Sequence, residues 1–351
     1  MVNKMYASVW RRICGLTAVA FIVAVVSHRA EAGDTFTAVR AKGIVRCGVS
    51  EGLLLGFSLK EPSGRWSGLD ADFCRAVAAA ALGDPQKVAF VPLIAAARFV
   101  ALRSRQIDLL ARHTTWTFGR EVGLGVQFAG VLYYDAQGFM VARKSRIGKF
   151  DQLKGATICV EAETTSAENA EDFFRARGWE YQPVLVKSVV EAMTAFTAER
   201  CRAYTSDRSQ LASLRATAPG GPGAYLILPG EISKEPLGPA VLRGDEEWFA
   251  LVKWVFFALI AAEEYGITRD NVRAKREQKT DPLLEDFFAT TDRYSKALGV
   301  KADWVVKTIE AVGNYGEIFE RNLGDKSALK LNRGLNRLWT RGGLMYAPPF
   351  R

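Results

Sequence analysis

The sequence predicts an α/β protein of two lobes, each a mostly parallel sheet with helices on its faces, the first lobe being discontinuous in the chain. Three observations lead there. Short apolar runs of strand length alternate with helical patterns over residues 43–111. The same alternation restarts at Ala156. Residues 231–242, where Pro236 and Pro239 favour extended backbone, read as a second crossing that returns the chain to the first lobe.

In order, residues 43–49 (Gly-Ile-Val-Arg-Cys-Gly-Val) are the first expected strand and 50–56 a loop. Asp70 is placed to cap an apolar helix through Phe73, Val77 and Leu82, which stops at Gly83-Asp84-Pro85 because a terminal Gly followed by Pro ends a helix. A strand at 88–93, a short helix at 96–104 and a strand at 107–111 follow. This last strand turns polar, with Thr114, Thr115 and Thr117 ahead of Arg120. It thus delivers hydroxyls and a guanidinium to its carboxyl end, the side of an open α/β sheet where ligands bind. A planar fork beside hydroxyls suits a small carboxylate; a solvated loop with a surface arginine fits the same residues.

A strand at 139–142 leads to a basic turn at 143–148, where the first crossing is expected, and 156–160 opens the second lobe. Thr164, Thr165 and Ser166 enter a helix over 167–177; such a terminus favours an anion, and simple capping explains it equally. A strand at 184–186 and a helix at 189–199 precede the strand 203–205, which ends in Ser206-Asp207. Asp207 there either binds a cation or caps the helix starting near Ser209. A helix over 246–265 covers a sheet, and from Ile267 the pattern is mostly helical, with Trp304, Tyr315, Phe319 and Trp339 expected in the core. The expected lobes are 33–142 with 239–351, including a helical extension from about residue 267, and 143–238.

The chain has 351 residues with 49% apolar composition, enough for two ordinary cores. Lys4, Arg11 and Arg12, an apolar run over 13–26 and Ala30-Glu31-Ala32 before Gly33 have the layout of a cleaved secretory leader, residues 1–32. The run is short of the ~20 residues a membrane span needs. That segment carries Lys4, Arg11, Arg12, Arg29 and Glu31, a net of three positive charges, so the remainder falls from +9 to +6. Basic and acidic residues are interspersed, without a basic block, so nucleic acid is not an expected partner.

Beyond the leader four cysteines remain, Cys47, Cys74, Cys159 and Cys201, and an exported protein with an even set suggests disulfides. If the halves are separate lobes, Cys47 pairs with Cys74 and Cys159 with Cys201. A zinc site is the rival, but C-x-x-C spacing is absent and His113 is the only histidine after the leader. With no phosphate loop, no dinucleotide fingerprint and a single histidine, the composition favours binding over catalysis and calls for no cofactor or metal.

From about Thr37 to Arg351 the sequence resembles the periplasmic substrate-binding proteins of amino-acid ABC transporters, in particular the general L-amino-acid branch. The resemblance rests on Gly68-x-Asp70-x-Asp72, on Thr114-Thr115-Trp116-Thr117 with Arg120, on Tyr133-Tyr134-Asp135-x-Gln137-Gly138, on Ser233-Lys234-Glu235-Pro236-Leu237-Gly238, on Gly313-Asn314-Tyr315-Gly316-Glu317 and on Tyr346-Ala347-Pro348-Pro349. It implies a type II, Venus-flytrap fold in which Arg120 and Thr115, with the Thr165 backbone, hold an α-carboxylate while Asp207 takes the α-ammonium. Thr164, His113, Glu163 and Ser50 complete the ligand-binding set it implies. It further implies a monomer in the periplasm that passes L-amino acids to an inner-membrane ABC permease. The alternative is a periplasmic dehydratase on the same fold, acting on a cyclic amino-acid precursor with Glu163 or His113 as acid or base. Glu163 stands where the family usually has Gly and His113 where it usually has Asn; a carboxylate at 163 is expected to weaken carboxylate binding or to select a basic side chain.

Overall fold

The computed structural model describes residues 34–278 and 280–351; the expected leader lies outside them. Two five-stranded sheets organise the chain. The first takes β1 (Val45–Val49), β5 (Val88–Pro92), β6 (Leu109–Leu110), β7 (Val126–Phe128) and β15 (Ala240–Leu242) in the order β5-β1-β6-β15-β7. Strand β1 is parallel to β5 and β6, and β15 runs antiparallel to β6 and β7. The second sheet repeats the plan with β9 (Gln137–Ala142), β10 (Thr157–Glu161), β11 (Gln182–Val186), β12 (Ala203–Asp207) and β13 (Tyr225–Ile227), in the order β11-β10-β12-β9-β13. Here β10 is parallel to β11 and β12, while β9 is antiparallel to β12 and β13. The small strands β2 (Leu53–Leu54), β3 (Ser58–Lys60) and β4 (Trp66–Ser67) form a meander that begins in the expected loop after β1 and runs on to α2.

Val45, Cys47 and Val49 of β1 are fully buried, which is what a strand with helices on both sheet faces requires. Gly48 between them is needed for packing: a Cβ there would lie 2.5 Å from Ile107 Cδ1 and 2.9 Å from Leu93 Cδ1. The helices α1 (Asp34–Lys42), α2 (Leu69–Leu82), α3 (Arg98–Arg103) and α4 (Phe118–Gly123) fall among the strands of the first sheet; α5 (Thr165–Arg175), α6 (Val189–Thr197) and α7 (Arg208–Thr217) fall among those of the second. Helix α2 starts one residue before the expected cap. Gly68, with φ of 123°, occupies the cap position because a Cβ there would strike the Phe57 carbonyl, and the buried Asp70 carboxylate instead accepts from the backbone of His113.

The two crossings lie side by side. β8 (Tyr133–Asp135) and β14 (Glu235–Leu237) pair antiparallel; β8 carries the chain out of the first sheet and β14 brings it back. The first passage therefore occurs at β8, before β9, which hydrogen-bonds to β12 in the second sheet. Strand β9 is an almost wholly buried run, and such a run carries no mark of which sheet it will join.

After β15, Asp245 caps α8 (Glu246–Glu264) by accepting from the Trp248 amide at 3.0 Å, and the Trp248 indole donates to the Asp108 carbonyl at 2.7 Å. The extension α9 (Val272–Glu277), α10 (Pro282–Arg293), α11 (Trp304–Val312) and α12 (Tyr315–Asn322) packs on the first sheet's helices, with α11 against α2. Trp304, Tyr315 and Phe319 are buried as expected, and the Tyr315 hydroxyl donates to the Leu132 carbonyl at 2.9 Å. Trp339 is not in the core: it is 48% exposed, in a short turn of the C-terminal tail where its ring packs on Tyr346. Cys47–Cys74 and Cys159–Cys201 are disulfides, with Cα separations of 6.1 and 5.5 Å, the first starting from β1 of the first sheet and the second from β10 of the second. No described helix is long and apolar enough to cross a membrane.

Candidate functional site

The carboxyl ends of β6, β10 and β12 converge on one place. Past β6 the chain continues through Arg112, His113 and Thr115; β10 ends in Glu161, ahead of Thr164, Thr165 and Ser166; β12 ends in Ser206 and Asp207. With Arg98, Arg120 and Gln210 these residues line a cavity of about 20 Å³, about the space of one water. Side chains from the two sheets meet directly across it. Thr115 Oγ1 lies 3.2 Å from Thr165 Oγ1, His113 Nδ1 3.0 Å from Asp207 Oδ2, and an Arg112 guanidinium nitrogen 3.6 Å from Glu161. Admitting even a small amino acid between these groups requires the two halves to part.

Each polar group is held from behind. Arg120 sits in the short helix α4, whose cap Thr117 accepts from the Arg120 amide; its guanidinium donates to the Thr115 carbonyl at 2.8 Å and stands over the Phe99 ring. Burial pulls the Arg120 pKa down, against the charges of Glu235 and Asp207. Glu235, on the returning strand, accepts from Thr115 Oγ1 at 2.6 Å, Thr165 Oγ1 at 3.1 Å and Asn169 Nδ2 at 2.7 Å. One buried carboxylate on the crossing thereby orients a hydroxyl from each side of the cavity.

His113 has φ of 45°, the left-handed region that Asn and His tolerate better than most residues. Its Nε2 lies 2.8 Å from Ser209 Oγ, which donates in turn to Asp135. Burial lowers the His113 pKa, but the hydrogen bond and charge of Asp207, then the charges of Asp135 and Asp70, carry it above its ordinary value. Burial, reinforced by Asp207, pushes Asp135 up to about 7, and burial pushes Asp70 up to about 6. His113, Asp135 and Asp207 present ligand atoms within 4.8 Å of one another, the spacing of a metal site. Both ring nitrogens are engaged in hydrogen bonds, however, so the ligand atom of the trio left without a hydrogen-bond partner among the described residues is Asp207 Oδ1.

Of the residues the sequence singled out, Arg120, Thr115, Asp207, Thr165, Thr164 and His113 all line the cavity. Asp207 stands at the cap position of α7 but makes no side-chain capping bond, whereas Thr164 does cap α5, accepting from the Ala167 amide at 3.3 Å. Glu163 and Ser50 are not among the lining residues. Glu163 has an exposed side chain and a φ of 58°, so its place is one where glycine is unstrained. Ser50 is buried just past β1.

Arg98, Arg112, Glu161 and Gln210 line the cavity without having been picked out, beside Ser166 and Ser206 from the polar helix start and strand end already noted. Glu161 was detectable as a charged residue ending a buried strand; Arg98, following three alanines, left no signal. Asp207 Oδ1, Glu161 Oε1 and Arg98 Nε are buried without a hydrogen-bond partner among the described residues, and all three belong to side chains lining this cavity. A larger cavity of about 350 Å³ lies under the C-terminal tail between Trp254, Trp304 and Phe350, but its lining is mainly apolar and lacks such convergent charges.

Comparison with known families matches residues 45–325 to the bacterial extracellular solute-binding proteins, family 3. The chain belongs to that family. This family 3 protein is 47% identical over 335 residues to the general L-amino acid-binding periplasmic protein of Rhizobium johnstonii, spanning 95% of this chain and 98% of that one. It is 45% identical to the glutamate/glutamine/aspartate/asparagine-binding protein of Rhodobacter capsulatus, spanning 94% and 97%. Among solved structures, a periplasmic binding protein from Brucella ovis with glutathione bound superposes with a TM-score of 0.87 at 49% identity, covering 91% of this chain and 99% of that one. The two-lobed α/β class expected from the sequence is the class of these relatives.

Proposed function

We propose that this family 3 protein is a periplasmic receptor that captures an L-amino acid between two lobes, one built on each sheet, and delivers it to an inner-membrane ABC permease. It acts as a monomer without catalysis, after a leader ending near Ala32–Gly33 is removed. The observation that carries this reading is a complementary pair of poles across one cavity: the Arg120 guanidinium with Thr115 from one side, and the unpartnered Asp207 Oδ1 from the other. An α-carboxylate and an α-ammonium are such a pair of charges, and each charge-assisted hydrogen bond contributes about 1.5–3 kcal/mol. Only the closed arrangement offers both poles at once, so ligand favours closure. The hinge is the β8–β14 ladder, where both crossings lie.

The relatives named above, amino-acid-binding proteins and a glutathione-bound binding protein, support the same reading. The dehydratase alternative has less to stand on. Glu163 is exposed away from the cavity, and His113 is tied through both nitrogens to Asp207 and Ser209.

Thermal melts of the mature protein with the common L-amino acids test the proposal. At about 100-fold excess over Kd, ligand stabilises by about 2.7 kcal/mol, a rise of several degrees. Arg120→Ala and Asp207→Ala should each abolish that rise. A wild-type protein that responds to no amino acid would overturn the reading.

A further inference from the structure

We propose that His113, Asp135 and Asp207 form a binding site for zinc, and that the ion, by taking Asp207, shuts the amino acid out of the cavity. Zinc binding stands apart from the amino-acid reading; the exclusion rests on it. The three residues belong to segments that meet only in the folded chain. His113 follows β6 of the first sheet, Asp135 ends β8 in the crossing, and Asp207 ends β12 of the second sheet. Their ligand atoms lie within 4.8 Å of one another. One imidazole and two carboxylates are a zinc donor set, whose bonds of about 2.0–2.2 Å draw the trio together and leave a fourth position for water. His113 and Asp207 are each 7% exposed, and Asp207 Oδ1 lacks a hydrogen-bond partner among the described residues, so the cluster holds a buried acceptor that a cation satisfies. The cavity these two line, about the space of one water, has room for an ion and none for an amino acid.

The hydrogen bonds already made around the trio are those a metal site uses. A ligating imidazole gives one nitrogen to the metal, and a hydrogen bond at the other fixes its ring. Ser209 Oγ, 2.8 Å from Nε2, is that second partner, which leaves Nδ1, 3.0 Å from Asp207 Oδ2, for the ion. The proton between Nδ1 and Asp207 passes to solvent as the metal enters. Asp135 is oriented in turn by the Ala136 amide at 2.8 Å and the Ser209 amide at 3.1 Å. The charges that act most on His113 are the carboxylates of Asp207, Asp135 and Asp70, and Asp207 also repels Asp135, a repulsion that a dication removes. The counter-argument is Arg98, Arg112 and Arg120, which line the same cavity; Arg112 faces Glu161 at 3.6 Å, and Arg120 has Glu235 as its main opposite charge.

Isothermal titration of zinc chloride into metal-free, untagged mature protein tests the site with no amino acid present. His113 is then the only histidine, so its imidazole proton resonances report the ligand directly. The expected result is one zinc per chain with those resonances shifted. His113→Asn and Asp135→Asn should each weaken zinc at least about 10-fold, and Ser209→Ala about 10-fold by freeing the ring. Cooperative melting of each variant reports that it folds. Wild-type protein that binds no zinc overturns the site, and so does zinc held equally well by all three variants, the mark of surface carboxylates alone. Should a variant fail to fold, unshifted His113 resonances in the wild type still refute the site. Melting the zinc-bound protein with the common L-amino acids should show none of the rises seen without zinc. Undiminished rises overturn the exclusion and leave the site standing, whereas no rise even without zinc overturns the receptor reading alone.

Discussion

Replacing His113 with asparagine should flatten the pH dependence of ligand binding and raise affinity at acidic pH. Asparagine adopts the left-handed φ of this position as readily as histidine, so the backbone has no reason to move. As an imidazolium, His113 donates to Asp207 and to Ser209 and places a positive charge beside the carboxylate proposed to receive the ligand's ammonium. An ammonium on Asp207 would stand about 5 Å from the ring, where like charges repel by about 3 kcal/mol at an effective dielectric of about 20, and by half that at about 40. Wild-type affinity should therefore rise about 10- to 150-fold as His113 loses its proton. Because the surrounding carboxylates raise its pKa, the change belongs above the ordinary histidine value. Asp135 titrates near 7 with the same sign, gaining negative charge as pH rises, so the variant keeps a shallower slope rather than none. Titration calorimetry at four values from pH 5.5 to 8.5 measures both slopes. The reasoning fails if wild-type affinity falls with rising pH, or if the asparagine variant keeps the full wild-type slope.

The stability of the ligand-free protein should move the opposite way. Asp135 and Asp70 have folded pKa values raised to about 7 and about 6, so the fold favours their protonated forms, and His113 is raised as well. All three contributions are present at low pH and are lost as pH climbs from about 4 through 7 and beyond; guanidinium melts at pH 5.5 and 8 should show the lower midpoint at pH 8. Removing the second disulfide by Cys159→Ser with Cys201→Ser reopens a closure of 42 residues, worth about 4 kcal/mol of chain entropy, and should lower Tm by about 6 °C in calorimetry. The first disulfide closes 27 residues, worth about 3.5 kcal/mol, so its removal should cost slightly less.

Much of the fold was legible because its signals are local. Strand-length apolar runs, the Gly83-Asp84-Pro85 stop and the prolines at 236 and 239 each state their meaning within a few residues, and β1, α2 and the return through β14 appear where those signals lie. The end of β6 announced Thr115 and Arg120 in the same way, by a change from apolar to polar at a strand's carboxyl end. Glu163 and Ser50 show where such reading stops: both sit beside the right elements, yet neither lines the cavity, Glu163 keeping an exposed side chain and Ser50 being buried outside the lining.

The order of residues by itself determined two α/β halves, a double crossing, the candidate poles Arg120 and Asp207, and the even set of cysteines that tertiary contact then paired within each half. Only the folded chain decided that Glu235, 120 residues from Thr115, orients hydroxyls on both sides of the cavity, that β9 joins the second sheet, and that Arg98 is a buried charge short of partners. The physical reason is range. Propensity, capping and periodicity act over a few neighbours, whereas the desolvation of a charge depends on everything packed around it, and those groups come from segments the sequence holds far apart.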